Sequence, residues 1–253
     1  MGQIQAEEIR VKTQGRIVWL ALALMVKPRW WLGGEVSAQR DMPLIRRLIE
    51  RVRRCAARRP LLVWTDGLVA YIRAIRETVR APVHTGTGGR PRLRPWHHLV
   101  SAQVVTRDER RRVVETERRL VDGTPARGET LRYRSQGDGV INTADIERLT
   151  ATFRERLAPV ARRCRALARH TLTLHGGMLM VGTVYNFCTP HASWSQAHKT
   201  TPAMAAGITD HGWTMHELLS FHVPLSRWSP PKQRGRPSQA LKRLIEQWCG
   251  DHG

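Results

Sequence analysis

Apolar positions in the first third of the chain recur with a period of two, then with the spacing of a helix, then form an unbroken run. Residues 3–11, 16–26 and 29–37 read as three strands joined by short polar or proline-containing turns, which predicts an antiparallel meander. The run Ile17 to Val26 follows Glu7 and Glu8, lacks a signal-peptide layout and is too short to span a bilayer, so a buried strand is expected there. From Met42 to Arg58, Leu44, Ile45, Leu48, Ile49 and Val52 fall on one helical face, with Asp41 as N-cap and Pro60 beyond the end. The apolar run from Leu61 predicts a buried parallel strand that closes at Asp66. A helix over Leu68 to Val79 follows, with Leu68, Ile72 and Ile75 on one face.

Between about Arg80 and Gly139 the texture becomes charged and rich in proline and glycine. Within it, Val100 to Val121 reads as two extended arms turning at Asp108-Glu109; a single basic helix through Arg107 to Arg119 is the alternative. Asn142-Thr143 is an N-cap signal for a long basic helix toward Arg169, kinked at Pro159. Leu172 to Phe187 predicts another helix, weakened at Gly176-Gly177. The order strand, strand, strand, helix, strand, helix is that of the ribonuclease H-like fold. The expected class is therefore α/β, with a mixed five-stranded sheet flanked by helices, an insertion before the last catalytic helix and a helical C-terminal extension. The expected boundaries are 1–86 for the first part of the core, 87–139 for the basic insertion, 140–188 for the core helices and 189–253 for the extension with its basic tail.

Charge narrows the function. Among 253 residues, 42 Lys+Arg stand against 21 Asp+Glu, a formal charge of +21, and only five of the basic residues are lysines. Arginine suits bidentate contact with phosphate, and such a field draws nucleic acid from solution. A coding bias toward arginine could explain the Lys/Arg ratio but not the shortage of acids. Cys55, Cys164, Cys188 and Cys249 have no close spacing, so neither a zinc site nor a disulfide framework is indicated, which fits a reducing compartment.

In so basic a chain an acid closing a buried strand is conspicuous. Open α/β sheets place catalytic groups at the carboxyl ends of strands. Two-metal phosphoryl transfer needs several carboxylates converging on ions about 4 Å apart. In a ribonuclease H-like sheet these acids come from strand one, the end of strand four and a later helix. Glu7, Asp66 and Glu147 occupy those places, and hard oxygen donors suit Mg²⁺ or Mn²⁺. Taken singly, each acid could equally be a solvated surface carboxylate.

Longer strings carry a resemblance. Leu62-Val63-Trp64-Thr65-Asp66-Gly67 with Ala70-Tyr71, and Ile141 to Leu149 continuing through Thr152 to Leu157, resemble bacterial insertion-sequence transposases of the DDE class. Tyr185-Asn186-Phe187-Cys188, Pro190-His191, Thr201 to Gly207, and Trp213 with Glu217-Leu218-Leu219 look like the C-terminal signature of that family. The resemblance implies a core that cuts at transposon ends and joins the freed 3′-hydroxyl to target DNA, working as a homo-oligomer on DNA in the bacterial cytoplasm, in association with the nucleoid and not with a membrane. It makes Asp66 and Glu147 the second and third catalytic acids and metal ligands. It puts an Asp of an Asp-Glu pair where this chain has Glu7-Glu8, so Glu7 matches in position but not in residue, and Glu8 is the alternative first ligand.

Two further departures are Thr150, where the family pattern has Asn, and Trp194, where it has Leu. Only six residues precede Glu7, so an end-recognition module is expected on a separate polypeptide, or else the chain is a truncated copy. Expected DNA contacts are Arg90, Arg92, Arg148, Arg154, Arg234 and Arg236. Arg234-Gly235-Arg236-Pro237 has the core of a minor-groove hook, Gly89-Arg90-Pro91-Arg92 is a poorer version, and a solvated basic tail is the plain alternative. His191 and His211 have no partner at ligand spacing and read as packing or capping residues. Trp30 and Trp31 are expected to face opposite sides of a strand. The alternative function is a catalytically impaired DNA-binding relic or regulator of transposition. A ribonuclease H-like structure-specific nuclease would share the acids but not the C-terminal signature.

Overall fold

The computed structural model describes residues 2–56, 60–83, 91–109, 112–136, 143–161, 167–191, 199–222, 239 and 243. The chain divides into two compact units, Met1–Leu219 and Ser220–Gly253. The first holds the sheet and everything discussed below.

Strands β1 (Gly2–Thr13), β2 (Arg16–Met25) and β3 (Trp30–Ser37) form the expected antiparallel meander. Helix α1 (Met42–Ala56) follows and buries Leu44, Ile45, Leu48, Ile49 and Val52. Asp41 caps it, its Oδ1 accepting from the Leu44 amide at 3.1 Å. Strand β4 (Leu61–Thr65) is buried at every position and pairs parallel with β1. Helix α2 (Val69–Thr78) and a small hairpin of β5 (Arg80–Val83) and β6 (Arg92–Pro95) come next.

The long strands β7 (Leu99–Glu109) and β8 (Arg112–Asp122) then complete the central sheet, whose order is β3-β2-β1-β4-β7-β8. Six strands stand where five were expected. The two extended arms are real and the single helix is not. Residues 87–139, expected as an insertion, supply β7, which pairs parallel with β4, and β8, which pairs antiparallel with β7. Alternation gave these arms a weak signal because β8 lies at the sheet edge and its residues from Glu115 to Leu120 are exposed.

Helix α3 (Pro125–Gln136) precedes α4 (Ala144–Arg156). The long helix expected toward Arg169 stops here, and a 3₁₀ turn at Ala158–Val160 follows. Pro159 sits in that turn, where a ring that cannot donate to a helical ladder ends the helix rather than kinking it. Helix α5 (Thr171–Cys188) is continuous through Gly176-Gly177, because Leu174, Met178, Gly182 and Tyr185 anchor it to the sheet on either side. Short helices α6 (Pro202–Ala205) and α7 (Met215–Ser220) complete the described elements.

The period of two along each strand sorts the core into layers. Ile4, Ala6, Ala21 and Ala23 face α1 and α2 on one side, whereas Ile9, Val11, Leu20 and Leu22 face α4 and α5 on the other. Trp30 and Trp31 divide as expected: Trp31 packs with Phe153 in the α4 layer, and Trp30 packs against the α1 layer.

Helix α5 is fixed to β3 by Asn186. Its Oδ1 accepts from the Trp31 amide and its Nδ2 donates to the Trp31 carbonyl, both at 2.9 Å and buried. Gly182 permits that approach, since a Cβ there would stand 2.1 Å from the Trp31 ring. Asn186→Ala leaves two buried backbone groups unpaired. An expected loss of about 2–4 kcal/mol should appear as a lower denaturant midpoint with an unchanged m-value. No change in midpoint would mean that the clamp contributes nothing.

Candidate active site

Register delivers the strand acids to one level of the sheet. Ala6 on β1 stands opposite Thr65 on β4, so Asp66 leaves the ladder one residue later, beside Glu7. Successive residues of β1 face opposite sides, and Glu7 therefore looks toward α4 while Glu8 looks toward α2.

Glu7 is half-buried. Its Oε2 accepts from Thr150 Oγ1 at 3.2 Å. Burial pushes its carboxyl up to about 7, against the lowering hydrogen bond from Thr150; the neighbouring Glu147 raises it further and Arg154 lowers it. Thr150 and Arg154 follow Glu147 by three and seven positions, so one face of α4 presents all three side chains to Glu7. Glu147 is exposed and accepts from Thr143 Oγ1 at 2.6 Å.

Helix α4 starts where the Asn142-Thr143 signal predicts. Thr143 occupies the N-cap position but its hydroxyl goes to Glu147, and no side-chain cap bond is made. Asn142 lies outside the described residues. Strand β1 also caps the helix: Gln5 Oε1 accepts from the buried Ile146 amide at 2.9 Å. Gln5 and Glu7 share a face of β1, so one strand both starts the helix and offers it an acid.

Asp66 is held on the opposite side. Its Oδ1 accepts from the Leu68 amide at 3.1 Å, and its Oδ2 accepts from Arg40 Nη2 at 2.9 Å. Arg40, from the loop between β3 and α1, also donates to Glu8 Oε2 through Nη2 at 2.7 Å and Nε at 3.1 Å. The Glu8 side chain is 1% exposed, and burial first, then the nearby Asp66, raises its carboxyl above the usual range. Tyr71 lies against Glu8 and is fully buried, which drives its hydroxyl far above the usual phenol value. Neither that hydroxyl nor Glu8 Oε1 has a partner of regular hydrogen-bond geometry, so their contact is long or bent.

The turn after β4 is braced by strands read as an insertion. Gln103 on β7 donates to the Asp66 carbonyl at 2.9 Å and to the Leu68 carbonyl at 3.2 Å, and accepts from Arg119 on β8 at 2.9 Å. Arg40, Gln5, Gln103 and Arg119 all went unread in the sequence. None lies in a motif, and each acts across a distance in the chain that only the fold closes.

The structure thus brings Glu7 to Glu147 and Glu8 to Asp66, in two pairs. Among the described residues, no three His, Cys, Asp or Glu side chains are grouped so as to hold a metal ion in this conformation. The donor chemistry nevertheless suits a hard divalent cation: Glu7, Glu8 and Asp66 lie at one level of two adjacent strands, Glu147 is near enough to raise Glu7, and Glu8 carries a buried oxygen without a regular partner.

Of the expected DNA contacts, Arg92 is exposed on β6, Arg148 is exposed on α4, and half-buried Arg154 lies near Glu7. Arg90, Arg234 and Arg236 lie outside the described residues, as does Trp194. His191 packs as expected, its Nε2 2.8 Å from the Tyr185 hydroxyl, and burial lowers its imidazole to about 4. His211 is exposed between Asp210 and Glu217, and Glu217 caps α7 through Thr214. Among the described residues, no helix is long and apolar enough to cross a membrane. Searches of known families and of curated proteins found no family model and no protein that matches the chain.

Proposed function

We propose that the chain is the catalytic core of a DDE-class transposase with a ribonuclease H-like fold, cleaving DNA at insertion-sequence ends and transferring the freed strand to target DNA. The observation that carries this reading is the register of β1 and β4. It brings Asp66 out of the sheet beside Glu7, on strands that are adjacent and parallel, while α4 presents Glu147 to the same acid. The resemblance of the motif strings supports that family, and the +21 charge supports an attraction to DNA.

Glu7, Asp66 and Glu147 would hold Mg²⁺ or Mn²⁺, with Glu8 as the alternative first ligand. Such ions, when bound, activate the attacking oxygen and stabilise the leaving oxygen. The contribution of the chain is placement. Thr150 orients Glu7, Gln5 sets the start of the helix that bears Glu147, and Gln103 braces the turn at Asp66. The surrounding arginines would hold the phosphate backbone of transposon end and target. An oligomer assembled on DNA, together with a separate end-binding polypeptide, belongs to the same reading.

One observation favours the second reading, an impaired DNA-binding relic or regulator: both oxygens of Asp66 are engaged away from Glu147. Strand cleavage with Mg²⁺ or Mn²⁺ separates the two. The parent should cut DNA carrying its cognate ends, and Asp66→Asn should not. A parent without activity in the presence of its partner polypeptide would leave the relic, and an Asp66→Asn variant as active as the parent would end the phosphoryl-transfer assignment.

Both readings expect DNA binding dominated by phosphate contacts. Affinity should fall about 10³-fold or more between 50 and 200 mM salt if six or more phosphates are neutralised. A flat response in a filter-binding titration would remove the basic surface as the DNA path.

A further inference from the structure

Arg40 occupies an unusual position. Its guanidinium lies 5.2 Å from the centre of the Trp19 ring and reaches the carboxylates of Glu8 and Asp66 with one nitrogen, Nη2, at 2.7 and 2.9 Å. Glu8 is buried, whereas Asp66 and Arg40 are about one-third exposed, with side-chain exposures of 37% and 36%. The cation therefore bridges the two carboxylates from the solvent side, with Tyr71 against Glu8 behind it. There Glu8 Oε1 and the Tyr71 hydroxyl are buried, with only their own irregular contact.

An arginine placed there has two consequences. It neutralises a pair of carboxylates that would otherwise repel each other, and it turns Asp66 toward Glu8 rather than toward Glu7 and Glu147. A metal ion approaching Asp66 Oδ2 meets a positive charge already bonded to that oxygen. The guanidinium can let go of Asp66 and keep its place, because half-buried Trp19 and two bonds to Glu8 Oε2 hold it from the other side.

We propose that Arg40 is an internal counter-cation of the carboxylate site, a positioning residue that holds Asp66 on the Glu8 side of the sheet until a divalent ion displaces it. This inference rests on the carboxylate reading proposed above. It goes beyond that reading in making occupancy of the site a competition between two cations, one of them supplied by the chain. Glu8 then serves as the fixed anchor of the displaced arginine, which explains a buried acid beside the proposed ligand position.

Mn²⁺ binding to the full chain, followed by electron paramagnetic resonance, tests the idea without recourse to activity. Arg40→Met keeps the aliphatic stem over Trp19 and removes the charge, and it should bind Mn²⁺ about tenfold more tightly than the parent. Unchanged or weaker binding in a variant that retains the parental circular dichroism overturns the role of Arg40. Asp66→Asn distinguishes the two levels of argument. If it loses Mn²⁺ while Arg40→Met gains nothing, only the counter-cation fails; if it binds as well as the parent, the carboxylate reading fails and this inference with it. A second measurement uses the parent alone. Labelling by phenylglyoxal, read at Arg40 by mass spectrometry, should accelerate several-fold when Mg²⁺ is added, because displacement breaks the bond to Asp66 and leaves only Glu8 holding the guanidinium. An equal or slower rate overturns the proposal.

Discussion

Glu7→Asp combined with Thr150→Asn should cleave DNA carrying cognate ends about a hundredfold faster than the parent, and more than Glu7→Asp achieves alone. Two of the three departures from the pattern that the motif strings resemble, at positions 7 and 150, meet in the structure, where the longer acid and the shorter helix residue lie 3.2 Å apart. On the proposed transposase reading an aspartate belongs at position 7; shortening Glu7 by a methylene draws its carboxylate back by more than about an ångström, out of reach of the Thr150 hydroxyl. An aspartate at position 7 would then lack its orienting partner, and a misplacement of about 1 Å can cost a hundredfold in rate. The longer amide introduced by Thr150→Asn reaches farther and can restore the contact. The measurement is a double-mutant cycle on single-turnover cleavage rates, with any partner polypeptide supplied. Strictly additive effects would mean that Thr150 does not position the acid, and a double variant slower than the parent would mean that Glu7 is already the better ligand.

Removing the charge of Glu7 should stabilise the protein, in a pH-dependent way. Its folded carboxyl titrates at about 7, above the ordinary 4.5, so between those values the folded state binds more protons than the unfolded one. Stability contributed by the protonated acid is present below about pH 4.5, falls as pH rises toward 7 and stays lost above it. Glu7→Gln mimics the protonated form at every pH. At pH 8 and without metal, it should gain about 2–3 kcal/mol over the parent, or roughly 5–10 °C in melting temperature, and gain little at pH 4.5. His191 acts in the other direction. Its folded imidazole titrates at about 4, below the ordinary 6.5, so its share of stability is full above 6.5 and fades as pH falls toward 4. The parent curve mixes both slopes, and subtracting it from the Glu7→Gln curve isolates the acid. A difference that does not grow between pH 5 and 8 would rule out burial of a charged Glu7 as the cause.

Local pattern was sufficient for the meander, for α1 and for β4, because each of these elements buries a face whose period the residues spell out one by one. It placed the start of α4 at Asn142-Thr143 but not its end, because apolar spacing carries on past Arg156 while Pro159 ends the ladder. At the site, the separation of Glu7 from Glu8 follows from alternation and could be read in advance. The pairing of Asp66 with Glu8 could not, since it depends on Arg40 entering from a loop that no motif marks. The bracing of the Asp66 turn was hidden likewise, because Gln103 and Arg119 sit on strands that looked like an appendage.

The cap that Gln5 gives to α4 also bears on how the protein acquires its shape. The amide it satisfies lies 141 residues later. A nascent chain emerging from the ribosome therefore exposes β1 long before its partner exists, and the Ile146 amide of the helix with Glu147 waits for Gln5 until β1 has found it. Closing so long a loop carries an entropic cost that nearby contacts must first offset, which places this docking among the late events of folding. The acids of β1 and α4 would then meet only when the rest of the sheet is complete, and a fragment ending before α4, or beginning after β1, would contain neither the facing acids nor a helix primed to supply one.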